Sequence, residues 1–179
     1  NCITSAGRPN FPIYKALILL FFFLLEFSGC SASVNTHSYN CLQAIDGIDN
    51  VKTNGWAYTG KVPAWAIFEL TEERTMNTLV IQSGQKRSNH RLIVFRVTLK
   101  VDEQWINLTD LKVKEDPTAQ IGGDGTVTLA SGIHVLQLKF NTVSNVQSIR
   151  LDVIKTDASN NNVMVNEIIP KLEHGAGRL

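Results

Sequence analysis

Arg87, Asn89, His90 and Arg91 stand almost side by side in the stretch GQKRSNHRL, residues 84–92. A guanidinium presents its donors in a rigid fork, an amide both donates and accepts, and an imidazole adds a further hydrogen bond or a ring face. That chemistry suits sugar hydroxyls or an anionic group. Residues so close in sequence cannot all face one way, and the same stretch also reads as a solvated basic loop. A second stretch, AIDGIDNVKTNGWAY at 44–58, crowds Asp, Asn, Thr and Gly ahead of two aromatics, Trp56 and Tyr58. A tight loop of this kind can supply the oxygens that calcium takes, six to eight of them at about 2.3–2.6 Å. His134 alternates with Leu136 and Leu138, the pattern of a core or rim histidine rather than a ligand.

Catalysis finds little to work with. The sequence has no G-x-S-x-G, no H-E-x-x-H, no C-x-x-C and no phosphate-cradling glycine loop. A glycosidase needs two carboxylates held about 5–9.5 Å apart, and the acidic residues here are scattered over loops. A formal net charge of +1 gives no general attraction to nucleic acid, and the basic residues between Lys86 and Lys100 are diluted by alternation. The expectation is a non-enzymatic protein that does not bind nucleic acid.

The elements that must position these loops read as strands. VFRVTLKV puts Phe95, Val97, Leu99 and Val101 on one face and Arg96, Thr98 and Lys100 on the other, the period-two signature of a half-buried strand. HVLQLKF does the same with His134, Leu136, Leu138 and Phe140. SIRLDVIK sets Ile149, Leu151 and Val153 against Arg150 and Asp152. Shorter strands are expected in WAIFEL, TLVIQS, WINL, TVTL and VMVNEI, and turns in VKTNG, SGQKRSN, KVDEQ, KEDPTAQIGGDG, FNTVSN and TDASNNN. About eight short strands without a convincing helix predict an all-β jelly-roll sandwich over residues 34–172, with 173–179 a frayed tail.

The start of the chain is of another kind. Ala16–Leu25 is an uninterrupted apolar run of about ten residues, short of the ~20 that span a bilayer but suited to the core of a secretory signal. Arg8 and Lys15 precede it, and Ser28, Gly29, Ser31 and Ala32 follow. Residues 1–33 are expected to direct export, with an uncleaved membrane anchor as the rival. Phe27-Ser28-Gly29-Cys30 resembles a bacterial lipobox, which would make Cys30 a lipidation site; a plain cut after Ala32 is the alternative. Neither route leaves a disulfide framework, whereas without cleavage Cys30 and Cys41 could pair.

The order AIDGIDNVKTNGWAY, AWAIFEL, LVIQSG, HRLIVFRVTLKVDEQWINL and SIRLDVIKTDASNNNVMVNEI resembles the galactose-binding-like β-sandwich superfamily: discoidin or coagulation-factor type C domains and related carbohydrate-binding modules. Ala44, Asp46, Gly47, Trp56, Arg96, Trp105, Arg150, Leu151, Glu167 and Ile168 occupy the corresponding places. The hairpin departs from the pattern, reading KVDEQW without its usual Gly. The resemblance implies a loop-end ligand site, to which Tyr58, Arg87, Asn89, His90 and Arg91 are assigned. It also implies a structural calcium held by Asp46, Asp49, Thr53 and Glu167, with Asn54 a weaker candidate. Trp56 is expected to pack into the sandwich, and Trp65 and Trp105 to do the same. The function expected is a surface or extracellular module that binds carbohydrate or a glycoconjugate. Its rivals are an adhesion or structural domain that binds a protein partner and an accessory domain of a larger secreted enzyme.

Overall fold

The structure is a computed structural model that describes residues 26–35, 40–47, 55–56, 61–84, 90–160 and 162–173. Nine strands are found among them: β1 Phe27–Ala32, β2 Ala64–Ser83, β3 Leu92–Val101, β4 Gln104–Asn107, β5 Lys112–Val113, β6 Gln120–Ile121, β7 Thr126–Thr128, β8 Val135–Thr156 and β9 Val165–Lys171. All their pairings are antiparallel, in the order β1-β2-β8-β3-β7-β6, with β4 on β3, β5 on β8 and β9 on β2. Cys41–Ala44 form a 3₁₀ turn, capped by the Asn40 side chain. Among the described residues no helix is long and apolar enough to cross a membrane.

Two long strands make the sandwich. WAIFEL and TLVIQS, expected as separate strands, are the two halves of β2; HVLQLKF and SIRLDVIK are likewise the halves of β8, so FNTVSN continues a strand instead of reversing it. The pair runs together almost throughout, Ala64–Glu69 against Ser148–Val153 and Thr78–Gln82 against Val135–Lys139, with register irregularities between. There the inward face changes parity. Ala64, Ala66, Phe68 and Leu70 are buried before the break, Leu79 and Ile81 after it; in β8, Leu136, Leu138 and Phe140 give way to Ile149, Leu151 and Val153. A one-residue slip turns every side chain over, so a bulge at the bend keeps the apolar set inward as the strand passes from one layer to the next. β1 and β3 flank one half of the long pair, β9 and β5 the other, around one apolar core.

The amino-terminal boundary differs from the sequence reading. Residues 27–32, expected as the end of a signal, form β1, with Cys30 opposite Phe68 and Ala32 opposite Ala66. The sandwich thus begins ahead of residue 34. Cys30 is bonded to Cys41, their Cα atoms 6.0 Å apart. Lipidation at Cys30 needs a free thiol, and here that sulfur is held in the bond joining β1 to the 3₁₀ turn. At the other end Glu173 is not frayed: its Oε2 lies 2.9 Å from Lys139 Nζ, and its backbone N donates to Asn77 Oδ1 at 2.8 Å.

Asp116 fastens the long connection between β5 and β7. Its carboxylate accepts from the Thr118 hydroxyl at 2.7 Å, Thr118 N at 3.1 Å and Ala130 N at 3.0 Å. The Thr118 hydroxyl most of all, then Ala130 N, hold its carboxyl below the ordinary value of 3.8. A carboxyl so lowered stabilises the fold above that ordinary value, and the contribution is lost as pH falls through the lower folded value. Glu26 has the opposite sign, since burial raises its pKa against the pull of Arg74. Asp116→Asn is therefore expected to flatten the acid limb of a plot of urea midpoint against pH while leaving its shape near neutrality unchanged. An unchanged acid limb would show that Asp116 carries none of the acid sensitivity.

Candidate functional site

One end of the sandwich gathers the connections after β2, before β8 and after β8. Ser83 N donates to His134 O at 2.8 Å, Gly84 N to Met164 O at 2.9 Å, and the Ser83 hydroxyl accepts from Leu92 N. His134 is the rim histidine the alternation predicts, its Nδ1 2.9 Å from Ser83 O. Gly84 has φ +66°, and a Cβ there would come within 2.9 Å of Arg91 N, so the chain needs glycine to leave β2 on this path.

Arg91 ties these segments together. Its backbone N donates to Asp157 Oδ1 at 2.8 Å, its Nη1 to Gly132 O at 3.2 Å, and Asp157 N donates back to Arg91 O at 3.0 Å. Nε and Asp157 Oδ2 are 4.0 Å apart, with side chains 27% and 24% exposed. Gly132 gives the strap room, since a Cβ there would lie 2.8 Å from that of Arg91. Arg91 is thus first a positioning residue, and its side chain and that of Asp157 lie part-exposed beside each other. His90 stands next to it, half-buried and with φ +83°. Tyr58, Arg87 and Asn89 lie outside the described residues.

Trp56 is fully buried in the core. Its indole Nε1 donates to Val34 O at 2.8 Å, and its backbone exchanges hydrogen bonds with Val165 at 2.7 and 3.2 Å. Of the expected calcium ligands, Glu167 is a buried residue of β9 and Asp46 is half-buried just after the 3₁₀ turn, which packs against β9. Asp49, Thr53 and Asn54 lie outside the described residues. Among the described residues no three His, Cys, Asp or Glu side chains cluster as a metal site.

The other two tryptophans depart from expectation. Trp105, on β4 opposite Lys100, is 43% exposed. Trp65 is half-buried on the outer face of β2, with the Arg150 guanidinium 5.2 Å from its ring centroid. Strand register sets it in a row: Trp65 opposite Asp152, Asp152 opposite Arg96, Arg96 opposite Thr126. Alternation placed Arg96, Arg150 and Asp152 outward, but the row exists only once β8 lies between β2 and β3. A tryptophan opening a strand beside outward charges was the available signal.

No protein-family model and no curated protein matches the sequence. Solved structures do match. SpGH29 aligns with 86% of this chain at 18% identity and a TM-score of 0.61; the chain spans 28% of that protein. The family 32 carbohydrate-binding module of C. perfringens NanJ, solved with galactose, aligns at 14% identity and TM-score 0.57, covering 79% of this chain and 91% of that one. Chitosan-binding module 2 of a Paenibacillus sp. IK-5 chitosanase/glucanase, solved with chitotriose, aligns at 13% identity and TM-score 0.58, covering 82% and 98%. These likenesses establish that the chain has the galactose-binding-like jelly-roll fold.

Proposed function

We propose that this is a non-catalytic carbohydrate-binding module that works outside the cell or at its surface and takes saccharides at the loop end. The observation that carries the reading is the Arg91–Asp157 pair, two part-exposed side chains set side by side where Arg91 N donates to the Asp157 carboxylate. Neighbouring hydroxyls of a sugar ring offer the matching acceptor and donor. The His90 imidazole, with Arg87 and Asn89 just before it in sequence, would supply further polar groups, and Tyr58 a ring face. Fold neighbours solved with galactose and chitotriose support the ligand class. A Cys30–Cys41 disulfide supports export, since such bonds persist in oxidising compartments.

Structural calcium belongs to the same reading. The buried Glu167 carboxylate and Asp46 sit on adjoining elements and would share the ion with Asp49 and Thr53 from the stretch of sequence ahead of Trp56. A few polar contacts on an open surface give weak binding, which tandem copies or surface attachment would raise.

Affinity electrophoresis through gels cast with soluble polysaccharides tests this directly. Retardation by a polysaccharide, lost in Arg87→Ala and His90→Ala and weakened by a chelator, is expected. Equal mobility of the native protein and both variants in every polysaccharide gel would overturn the loop-end site.

A further inference from the structure

The outer sheet face carries a second constellation, away from the loop end and not drawn on by the loop-end reading. Arg96 lies five residues along β3 from Arg91, roughly 17 Å at strand rise. We infer that the hollow between Trp65, Arg96, Asp124 and Asp152 is a second binding site, for a neutral saccharide.

The hollow is about 360 Å³, at the small end of ligand sites, with Ser33, Pro63 and Ile154 completing its walls. Its polar groups hold one another in place. Asp152, its side chain 15% exposed, accepts from Arg150 Nη2 at 2.8 Å and Nε at 3.1 Å. Arg150 in turn lies over the Trp65 ring. Arg96 stands between two carboxylates, Nη1 3.6 Å from Asp124 and Nη2 3.6 Å from Asp152. Asp124 is oriented by Thr126, whose N and hydroxyl donate to it at 3.0 and 2.9 Å. Those same hydrogen bonds, assisted by Arg96, hold the Asp124 carboxyl below its ordinary pKa and therefore ionised near neutrality.

Three features select the ligand class. First, both Arg96 contacts exceed the length of a direct hydrogen bond, so its fork keeps N–H groups for another oxygen in line with the carboxylates. An arginine flanked by two carboxylates offers donors and acceptors in alternation, the pattern that vicinal hydroxyls complete. Second, the charges cancel, with two guanidinium groups against two carboxylates. An anionic sugar would face Asp124 and Asp152, and an amino sugar would face Arg96 and Arg150, so a neutral ring fits best. Third, Trp65, Pro63 and Ile154 supply apolar walls for the C–H faces of a pyranose. Because the side chains are already ordered, binding would lose little conformational freedom.

The chain has three tryptophans, and their indole N–H groups report separately by ¹⁵N-correlated NMR. Trp56 is in the core, Trp65 walls the hollow, Trp105 lies on β4, and Trp65→Phe assigns the signal. The probes are neutral disaccharides of glucose, galactose, mannose and xylose at tens of millimolar, with galacturonate and glucosamine as charged counterparts. The Trp65 signal should move and saturate with at least one neutral sugar, while that of Trp56 stays fixed. Arg96→Ala should weaken this binding about tenfold or more, the loss expected for hydrogen bonds from a charged group, and the charged sugars should bind less well. A Trp65 signal that stays still across the neutral panel, in protein whose Trp56 signal shows it folded, overturns the sheet-face site. The arms separate the two sites. Sugar binding that depends on His90 but leaves Trp65 unmoved rejects the sheet face and keeps the loop end; a Trp65 response in protein none of whose sugar binding depends on Arg87 or His90 does the reverse.

Discussion

Trp56→Ala is expected to cost about 3–5 kcal/mol of stability, the range for truncating a large aromatic in a packed core. The indole is fully buried, and its Nε1–H is satisfied by Val34 O at 2.8 Å, so alanine leaves both a large cavity and an unpartnered carbonyl. Val34 follows β1, and the Trp56 backbone bridges to Val165 at the start of β9. Side chain and backbone of this one residue thus tie the segment after β1 to the start of β9. Domains of this size are stable by only about 5–15 kcal/mol, so the variant should unfold at a much lower urea concentration or fail to accumulate. Trp56→Phe keeps most of the volume and should lose less. Equal midpoints for native protein and Trp56→Ala would place this tryptophan outside the core and undo the account of the loop.

The second large effect is expected on breaking the Cys30–Cys41 bond. The two cysteines stand 11 positions apart in sequence, and closing so short a loop restrains the unfolded chain by about 3 kcal/mol. The bond also holds β1, which among the described residues pairs with β2 alone and so forms one edge of the sheet. Adding reductant should lower the denaturation midpoint of the native protein and speed amide exchange in residues 27–32, while β8, inside the sheet, stays protected. The double variant Cys30→Ser, Cys41→Ser should start from the lower midpoint and ignore reductant. A native midpoint unmoved by reductant would mean that the sheet pairing alone retains β1.

Strand identity was legible wherever alternation was regular. Phe95, Val97 and Leu99 face inward against Arg96 and Lys100, as period two requires. The same rule misread the long strands. Residues 71–75 and 141–145 are mostly polar and exposed, which locally resembles a turn, and only the pairing of β2 with β8 shows that they carry the strands across the bend. β1 was hidden because FSGCSA, small and polar after an apolar run, fits a signal cleavage region as well as an edge strand. Trp105 illustrates another limit. Alternation assigns residues to faces, but it cannot say that the face holding Trp105 looks to solvent. At the loop end the sequence singled out Arg91 but gave no sign of Asp157, its partner 66 residues away, because nothing local links an aspartate after β8 to an arginine before β3.

A glycan-array screen of the folded protein, with free saccharide as competitor, tests the central claim most directly. Binding to a defined set of saccharides that falls as the same free sugar is added is the result expected of a carbohydrate-binding module. No saccharide binding from protein that unfolds cooperatively in urea would contradict it, and would leave a jelly roll whose loops serve a protein partner.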